Sequence, residues 1–134
     1  MTQALHQITD ALLDAARKAG ADAGDAMAMN GRSVTIDMRG GTLEQAERAE
    51  GLDIGLRVLI GQRQACVSAS DARPEVLTAL AERAVAMARE APEDPWIGLA
   101  DPEQLSETRD ADALELADPA PEPSPDELQE DARA

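Results

Sequence analysis

Twenty residues, GLDIGLRVLIGQRQACVSAS at positions 51–70, decide how this sequence folds. Apolar residues stand at every second position of two short runs: Leu52, Ile54, Leu56, Val58 and Ile60, then Ala65, Val67 and Ala69. This alternation is typical of strands that bury one face. Between the runs, Gly61-Gln62 fits a two-residue type II′ turn, which takes glycine at its first position. The stretch therefore predicts a β-hairpin.

The glycines of this stretch, Gly51, Gly55 and Gly61, invite comparison with a phosphate-binding loop. Neither G-x-G-x-x-G nor G-x-x-x-x-G-K-[ST] is present. Gly61 is followed by a strand, whereas a phosphate loop needs a helix N-terminus behind it. We interpret the three glycines as strand and turn positions, not as a binding site.

The segment before the hairpin predicts further strands. Met27 and Met29 alternate with Ala26 and Ala28, and a second alternating run contains Val34, Ile36 and Met38. Asn30-Gly31 is a strong signal for a two-residue turn, so we predict strands near 24–29 and 32–39 joined there. Gly40-Gly41 indicates another turn. Residues 42–50, TLEQAERAE, stay ambiguous: their propensities favour a helix, but nine residues are short for one, and a paired strand is the alternative.

Two helices flank the predicted strands. The first spans about 3–19, with an apolar stripe at helical spacing made of Leu5, Ile8, Leu12, Ala15 and Ala19. The second spans about 73–91, between Pro74 and Pro92, with an apolar face of Leu77, Leu80, Ala81, Ala84, Met87 and Ala88. The expected fold class is α+β: helix, a four- to five-stranded mostly antiparallel sheet, helix, then an extended acidic Pro-rich tail.

Charge and proline divide the chain near residue 91. Of the net charge of −15, residues 1–90 carry −3 and residues 91–134 carry −12, together with seven of the eight prolines. We predict an α+β N-terminal domain over 1–91, an acidic Pro-rich linker over 92–123 and the start of a truncated helix over 124–134. Ser124 and Glu127 have capping-box spacing, with Pro125 at the first helical position. Two interpretations stay open: a fragment of a longer protein, or a frayed last helix on a complete small one.

The composition also bears on partners and location. A strongly acidic chain is a poor ligand for nucleic acid or for anionic membranes, so neither is expected as a partner. No apolar run approaches the roughly 20 residues that span a bilayer. The first residues, MTQALHQITDALL, lack the basic region followed by an apolar run that is typical of a signal peptide. The single cysteine, Cys66, cannot form an internal disulfide. We expect a cytoplasmic protein.

No catalytic, cofactor-binding or metal-binding residue is predicted in this chain. His6 and Cys66 are each the only residue of their type, which is too few for a zinc site. Cys66 has no base beside it, and we interpret it as a small, partly buried strand residue. The remaining candidates lack a catalytic context and are interpreted as surface: Ser68, Ser70, Glu44 with Glu47, and Asp10 with Asp14.

The order of elements and residues 46–71, AERAEGLDIGLRVLIGQRQACVSASD, resemble the N-terminal domain of the TldD/PmbA family, once called modulators of DNA gyrase. In that family a Glu-rich strand leads into a Gly-Leu-x-x-x-x-Arg-Val strand, a turn and a small-residue strand. Residues 93–105, EDPWIGLADPEQL, resemble the PmbA-type (TldE) member. The likeness covers residues 4 to about 128. This sequence departs from the family's pattern at the turn Gly61-Gln62-Arg63 and at Trp96. The resemblance also favours a strand for residues 42–50, TLEQAERAE.

The resemblance implies a function that the residues themselves do not. TldD-type subunits are zinc metallopeptidases with H-E-x-x-x-H downstream of this domain. PmbA-type subunits lack the metal ligands and form a heterodimer with TldD, which degrades or trims unfolded peptides. The resemblance then implies that the chain is a non-catalytic PmbA-type domain with no cofactor of its own. Its expected partners are a TldD-type subunit and unfolded peptide. Alternatives are a free-standing acidic interaction module and the N-terminus of the catalytic TldD-type subunit.

Overall fold

The computed structural model describes residues 2–133. The helices are α1 (Thr2–Ala19), α2 (Pro74–Glu90) and α3 (Pro125–Arg133), with a 3-10 turn at Pro102–Gln104, and the strands are β1 (Ala23–Arg39), β2 (Thr42–Ile60) and β3 (Arg63–Ala69). Over that range the strands form one antiparallel sheet in the order β1-β2-β3. The α+β class is confirmed. No helix between residues 2 and 133 is long and apolar enough to cross a membrane.

The expectation of four to five strands is wrong, because within residues 2–133 the sheet has three. Asn30-Gly31 lies inside β1, and Gly31 does not have the positive φ that a type I′ turn requires. The chain turns instead at Gly40-Gly41, where φ is 56° and 75°. β1 continues past Asn30 and stays paired with β2. A turn at Asn30-Gly31 would end this pairing, so the pairing favours a continuous strand.

Residues 42–50 form a strand and not a helix. They are the first half of β2, a single strand of 19 residues that continues through Gly51. Their helix propensity amounts to a few tenths of a kcal/mol per residue, which strand pairing overrides. The structure thus resolves the ambiguity of TLEQAERAE in the direction that the family resemblance favoured.

The described residues divide into two compact units. One contains residues 2–31 and 50–99, and the other contains residues 32–49 and 100–133. Both long strands, β1 and β2, take part in each unit. The boundary proposed at residue 91 from charge and proline content stays a prediction.

In the first unit, a core forms between α1, α2 and one face of the sheet. Its buried members are Leu12, Ala16, Ile54, Leu56, Val58, Ala65, Leu77, Leu80, Ala81, Ala84, Val85 and Ala88. The predicted hairpin is confirmed, with Leu56 opposite Val67 and Ile60 opposite Arg63 across a two-residue turn. The assignment of Met87 to the buried face of α2 is wrong: it is 47% exposed, and Val85 is buried in its place. Met87 is three residues from Ala84 and Val85 is three residues from Ala88, so helical spacing allows either residue on the buried face, and only packing decides.

In the second unit, the predicted capping box at the start of α3 is confirmed. The Ser124 amide and hydroxyl both donate to Oε2 of Glu127, each at 2.7 Å, and the Glu127 amide donates to Ser124 Oγ at 3.3 Å. These bonds lower the pKa of the Glu127 carboxyl, chiefly through the Ser124 backbone amide and then through its hydroxyl. The box satisfies amides that a helix start leaves without partners.

Candidate interaction surface

The sheet of the first unit has a second face, opposite the helices. On β1, Ala26 and Ala28 pack against the core, so the residues between them point the other way. Met27 and Met29 are 67% and 55% exposed. The sequence could not assign these faces, because all four residues are apolar. Two adjacent exposed methionines are adaptable apolar contacts of the kind that protein interfaces use.

An ion pair joins β1 and β2 on the same outward side. Arg57 donates from Nε to Asp25 Oδ1 at 3.0 Å and from Nη2 to Oδ2 at 2.6 Å. This two-point pairing is the main cause of the raised pKa of Arg57. Beside it, the backbones approach closely: a Cβ placed on Gly24 would lie 2.7 Å from the carbonyl oxygen of Arg57. Sequence spacing gave no signal for either feature, since they join residues about 32 apart.

The sheet has two open edges within the described residues. β1 and β3 each border β2 on one side and lie at the ends of the strand order. β3, with sequence RQACVSA, contains no proline and no lysine, and its one charged residue is Arg63 at its first position. Charge and proline are the usual means by which an edge strand is kept from pairing with another chain. The edge of β3 is therefore chemically suited to accept an added strand.

The β2–β3 turn is fixed by hydrogen bonds to the chain on both sides. Gly61, at φ 56°, donates its amide to Asp22 Oδ2 at 2.8 Å, and Gln62 O accepts the Asp94 amide at 2.8 Å. Arg63 donates from Nη1 to Ala91 O at 2.6 Å. The turn amide is thus engaged by a carboxylate of the protein itself. The glycine at this turn has a structural role.

The isolated candidate residues stand apart from one another. His6 is an exposed residue of α1. Cys66 is an exposed free thiol on β3, so the expectation of partial burial is wrong. The register explains why: Cys66 lies opposite Arg57 on the outward face, while its neighbours Ala65 and Val67 face the helices.

The other candidate polar residues are also exposed. Ser68 and Ser70 lie at the end of β3 and beyond it, and Glu44 and Glu47 lie on a strand instead of one helical face. On α1, Asp14 pairs with Arg17 at 2.9 Å. Among residues 2–133 no group of three or more His, Cys, Asp or Glu side chains could hold a metal ion.

A groove runs between α1 and α2 in the first unit. It encloses about 570 Å³ and is lined mainly by small apolar side chains, with Lys18 and Glu82 among its polar residues. Its volume falls within the range of small-molecule sites, but its lining brings together no set of convergent polar groups.

These features define a small α+β fold with a three-stranded antiparallel sheet over the residues that the structure describes. Residues 24–88 match the sequence profile of PmbA/TldA metallopeptidase domain 1. The match covers the sheet and nearly all of α2, and this part of the chain belongs to the PmbA/TldD family as its first domain. A search of curated proteins found no match.

Two solved structures share the fold. One is a modulator of DNA gyrase from Bacteroides thetaiotaomicron, with a TM-score of 0.71 and 16% identity over 77% of this chain. The other is TldE from Thermococcus kodakarensis, with a TM-score of 0.65 and 19% identity over 75% of this chain. The chain spans 23% of the length of each of these proteins. At these identities the likeness defines the fold alone.

Proposed function

We propose that this chain is the N-terminal, non-catalytic domain of a PmbA-type subunit, which pairs with a zinc-dependent TldD-type subunit to process or degrade unfolded peptides in the cytoplasm. The observation that carries the proposal is the match of residues 24–88 to the first domain of this metallopeptidase family. The stretch 93–105, which resembles the PmbA-type member, supports that subunit type.

The chemistry of the described residues supports a structural role. The sheet buries one face under two helices, and its outward face carries Met27, Met29 and the Arg57–Asp25 pair. Among the residues that the structure describes, no group of three or more His, Cys, Asp or Glu side chains could hold a metal ion. In the complex, the zinc that activates water for peptide hydrolysis would come from the partner. This domain would supply contact surface, with the β3 edge available for strand addition by an extended peptide.

Co-purification tests the proposal. The full-length protein carrying an affinity tag is expressed with the TldD-type subunit of the same organism, and the eluted species are sized by analytical ultracentrifugation. A stable complex of the two subunits is expected. A matched preparation with a TldD-type subunit from a distant organism is the control for non-specific capture. Recovery of the tagged protein alone, at physiological salt and micromolar concentration, would overturn the proposal.

The coding sequence downstream of Ala134 provides a second test. A PmbA-type subunit has no H-E-x-x-x-H motif in the remainder of its chain. If the open reading frame continues into such a motif, the chain is instead the first domain of the catalytic TldD-type subunit.

A further inference from the structure

β3 presents backbone hydrogen-bonding groups at the edge of the sheet. Ile60 lies opposite Arg63 across the two-residue turn, so this pair exchanges both of its backbone hydrogen bonds, and bonded pairs then alternate along the hairpin. Gln64, Cys66 and Ser68 occupy the positions between the bonded pairs. The amides and carbonyls of these three residues therefore point away from β2, toward the open edge. Such a row of groups recognises the backbone of an extended chain.

One side of α2 borders this edge. α2 packs against α1 and against β3, which is the last strand of the sheet. Thr78 and Glu82 line the groove between α2 and α1. Val76, Arg83 and Met87 lie at helical spacing on the opposite side of α2. That side of the helix therefore faces the open edge of β3.

Arg83 lies in the middle of this side of α2, and its charge has no partner among the residues that the structure describes. The positions three and four residues away along the helix hold no acidic side chain: Ala79, Leu80, Ala86 and Met87. Arg63, by contrast, pairs with Glu93. Half-buried Val76 and exposed Met87 stand on either side of Arg83 along the helix. The surface beside the edge is thus apolar with one positive charge at its centre.

These features select an extended peptide over a second copy of this chain. β3 has one charged residue, Arg63, and no acidic one. Two copies joined through β3 would therefore offer Arg83 no partner, and the net charge of −15 on each copy opposes their approach. A peptide strand can supply both a backbone for the edge and an acidic side chain, because alternate residues of a strand point to the same face.

We propose that the β3 edge binds an extended peptide segment as a fourth strand, with an acidic side chain of the segment directed at Arg83 and its apolar neighbours on the same face packed against Val76 and Met87. The inference rests on the proposed function, because it takes unfolded peptide as the ligand from there. It adds the strand that holds the peptide and the side chains that the peptide must carry.

Fluorescence anisotropy on the full-length protein, without the TldD-type subunit, tests the charge at this site. The labelled peptide has the length of β3, with threonine and valine alternating and glutamate in place of the central valine. A matched peptide carries glutamine there. The glutamate peptide should bind about two- to fivefold more tightly, as expected for an exposed ion pair.

Two variants of the protein locate the charge effect. Arg83→Gln should abolish the difference between the two peptides. Lys18→Gln removes the same charge from the groove side of α1 and should leave the difference unchanged. Both side chains lie outside the core, so the melting temperature should stay the same in each variant. Equal binding of the two peptides to the unaltered protein, or an equal effect of the two variants, would overturn the proposal.

N-methylation of the peptide tests strand addition itself. Alternate amides of an added strand point toward β3, so methylating one alternate set should abolish binding and methylating the other should leave most of it. Equal tolerance of both sets would show that the peptide does not bind as a strand. Self-association of the full-length protein that blocks the peptide would overturn the proposal in favour of a second copy at the edge. Co-purification with the TldD-type subunit is measured separately, so the proposed function can stand where the peptide site fails.

Discussion

The two halves of β2 belong to one strand but differ in burial. Residues 42–51 are exposed throughout, whereas from Leu52 to Ile60 all residues except Asp53 are half-buried or buried. The second half pairs with β3 from Ile54 onward and contributes to the core under α1 and α2. Two different causes therefore stabilise the extended conformation of β2. In residues 52–60 burial and pairing act together, and in residues 42–51 pairing acts without burial.

Truncating a leucine in each half should give the largest contrast. Leu56 is 2% exposed and Leu43 is 42% exposed. Leu56→Ala leaves a cavity in the core and should lower the free energy of unfolding by about 2–5 kcal/mol. Leu43→Ala should change it by less than about 0.5 kcal/mol. Urea denaturation followed by circular dichroism measures both. Equal losses would show that the two halves are buried alike.

Alanine at two glycines of β1 should give the next largest contrast. A Cβ at Gly24 would meet the Arg57 carbonyl oxygen at 2.7 Å, while one at Gly31 meets no atom within 4 Å. Gly24→Ala should cost about 1–3 kcal/mol of stability, since backbone must shift. Gly31→Ala should be neutral or stabilising by up to about 1 kcal/mol, because the unfolded chain loses freedom. A clear loss at Gly31 would mean that Asn30-Gly31 forms the turn after all.

Removing the Arg57–Asp25 pair should have a smaller effect. The two side chains are 32% and 54% exposed, so solvent screens their attraction. Arg57→Gln should lower the free energy of unfolding by about 0.5–1 kcal/mol, and the loss should shrink in high salt. The double variant with Asp25→Asn gives the coupling energy. A coupling of zero would mean that the paired geometry adds nothing to sheet stability.

Acidification should destabilise the start of α3, and of these four changes it should have the smallest effect on the stability of the whole protein. The pKa of Glu127 is lowered in the folded chain, so its contribution is present above the ordinary glutamate pKa and is lost as the pH falls through the lower, folded value. Carbon-detected NMR titration of the Glu127 carboxyl measures this. Ser124→Ala removes one of the two bonds and should move the pKa back toward the ordinary value. An unchanged titration curve in that variant would exclude the hydroxyl as a cause.

Sequence reasoning succeeded where local pattern and burial agree. The 54–69 hairpin, the Gly40-Gly41 turn and the extents of α1 and α2 follow from alternation, helical spacing and turn residues. The turn predicted at Asn30-Gly31 was wrong, because a dipeptide that favours a turn carries no information about the neighbouring strand, β2, with which β1 pairs. Sequence reasoning also failed at Met87 and Cys66, where spacing or residue type permitted either face. The features of the outward surface, such as the Arg57–Asp25 pair, depend on contacts between distant residues and have no local signature.

Hydrolysis of an unfolded peptide by the full-length subunits, alone and together, tests most directly the claim that this domain is a scaffold whose chemistry lies in its partner. If this domain is such a scaffold, the full-length protein alone should cleave nothing, cleavage should begin when the TldD-type subunit is added, and chelation of zinc should abolish it. Zinc-dependent cleavage by the full-length protein without a partner would contradict its assignment as a PmbA-type subunit.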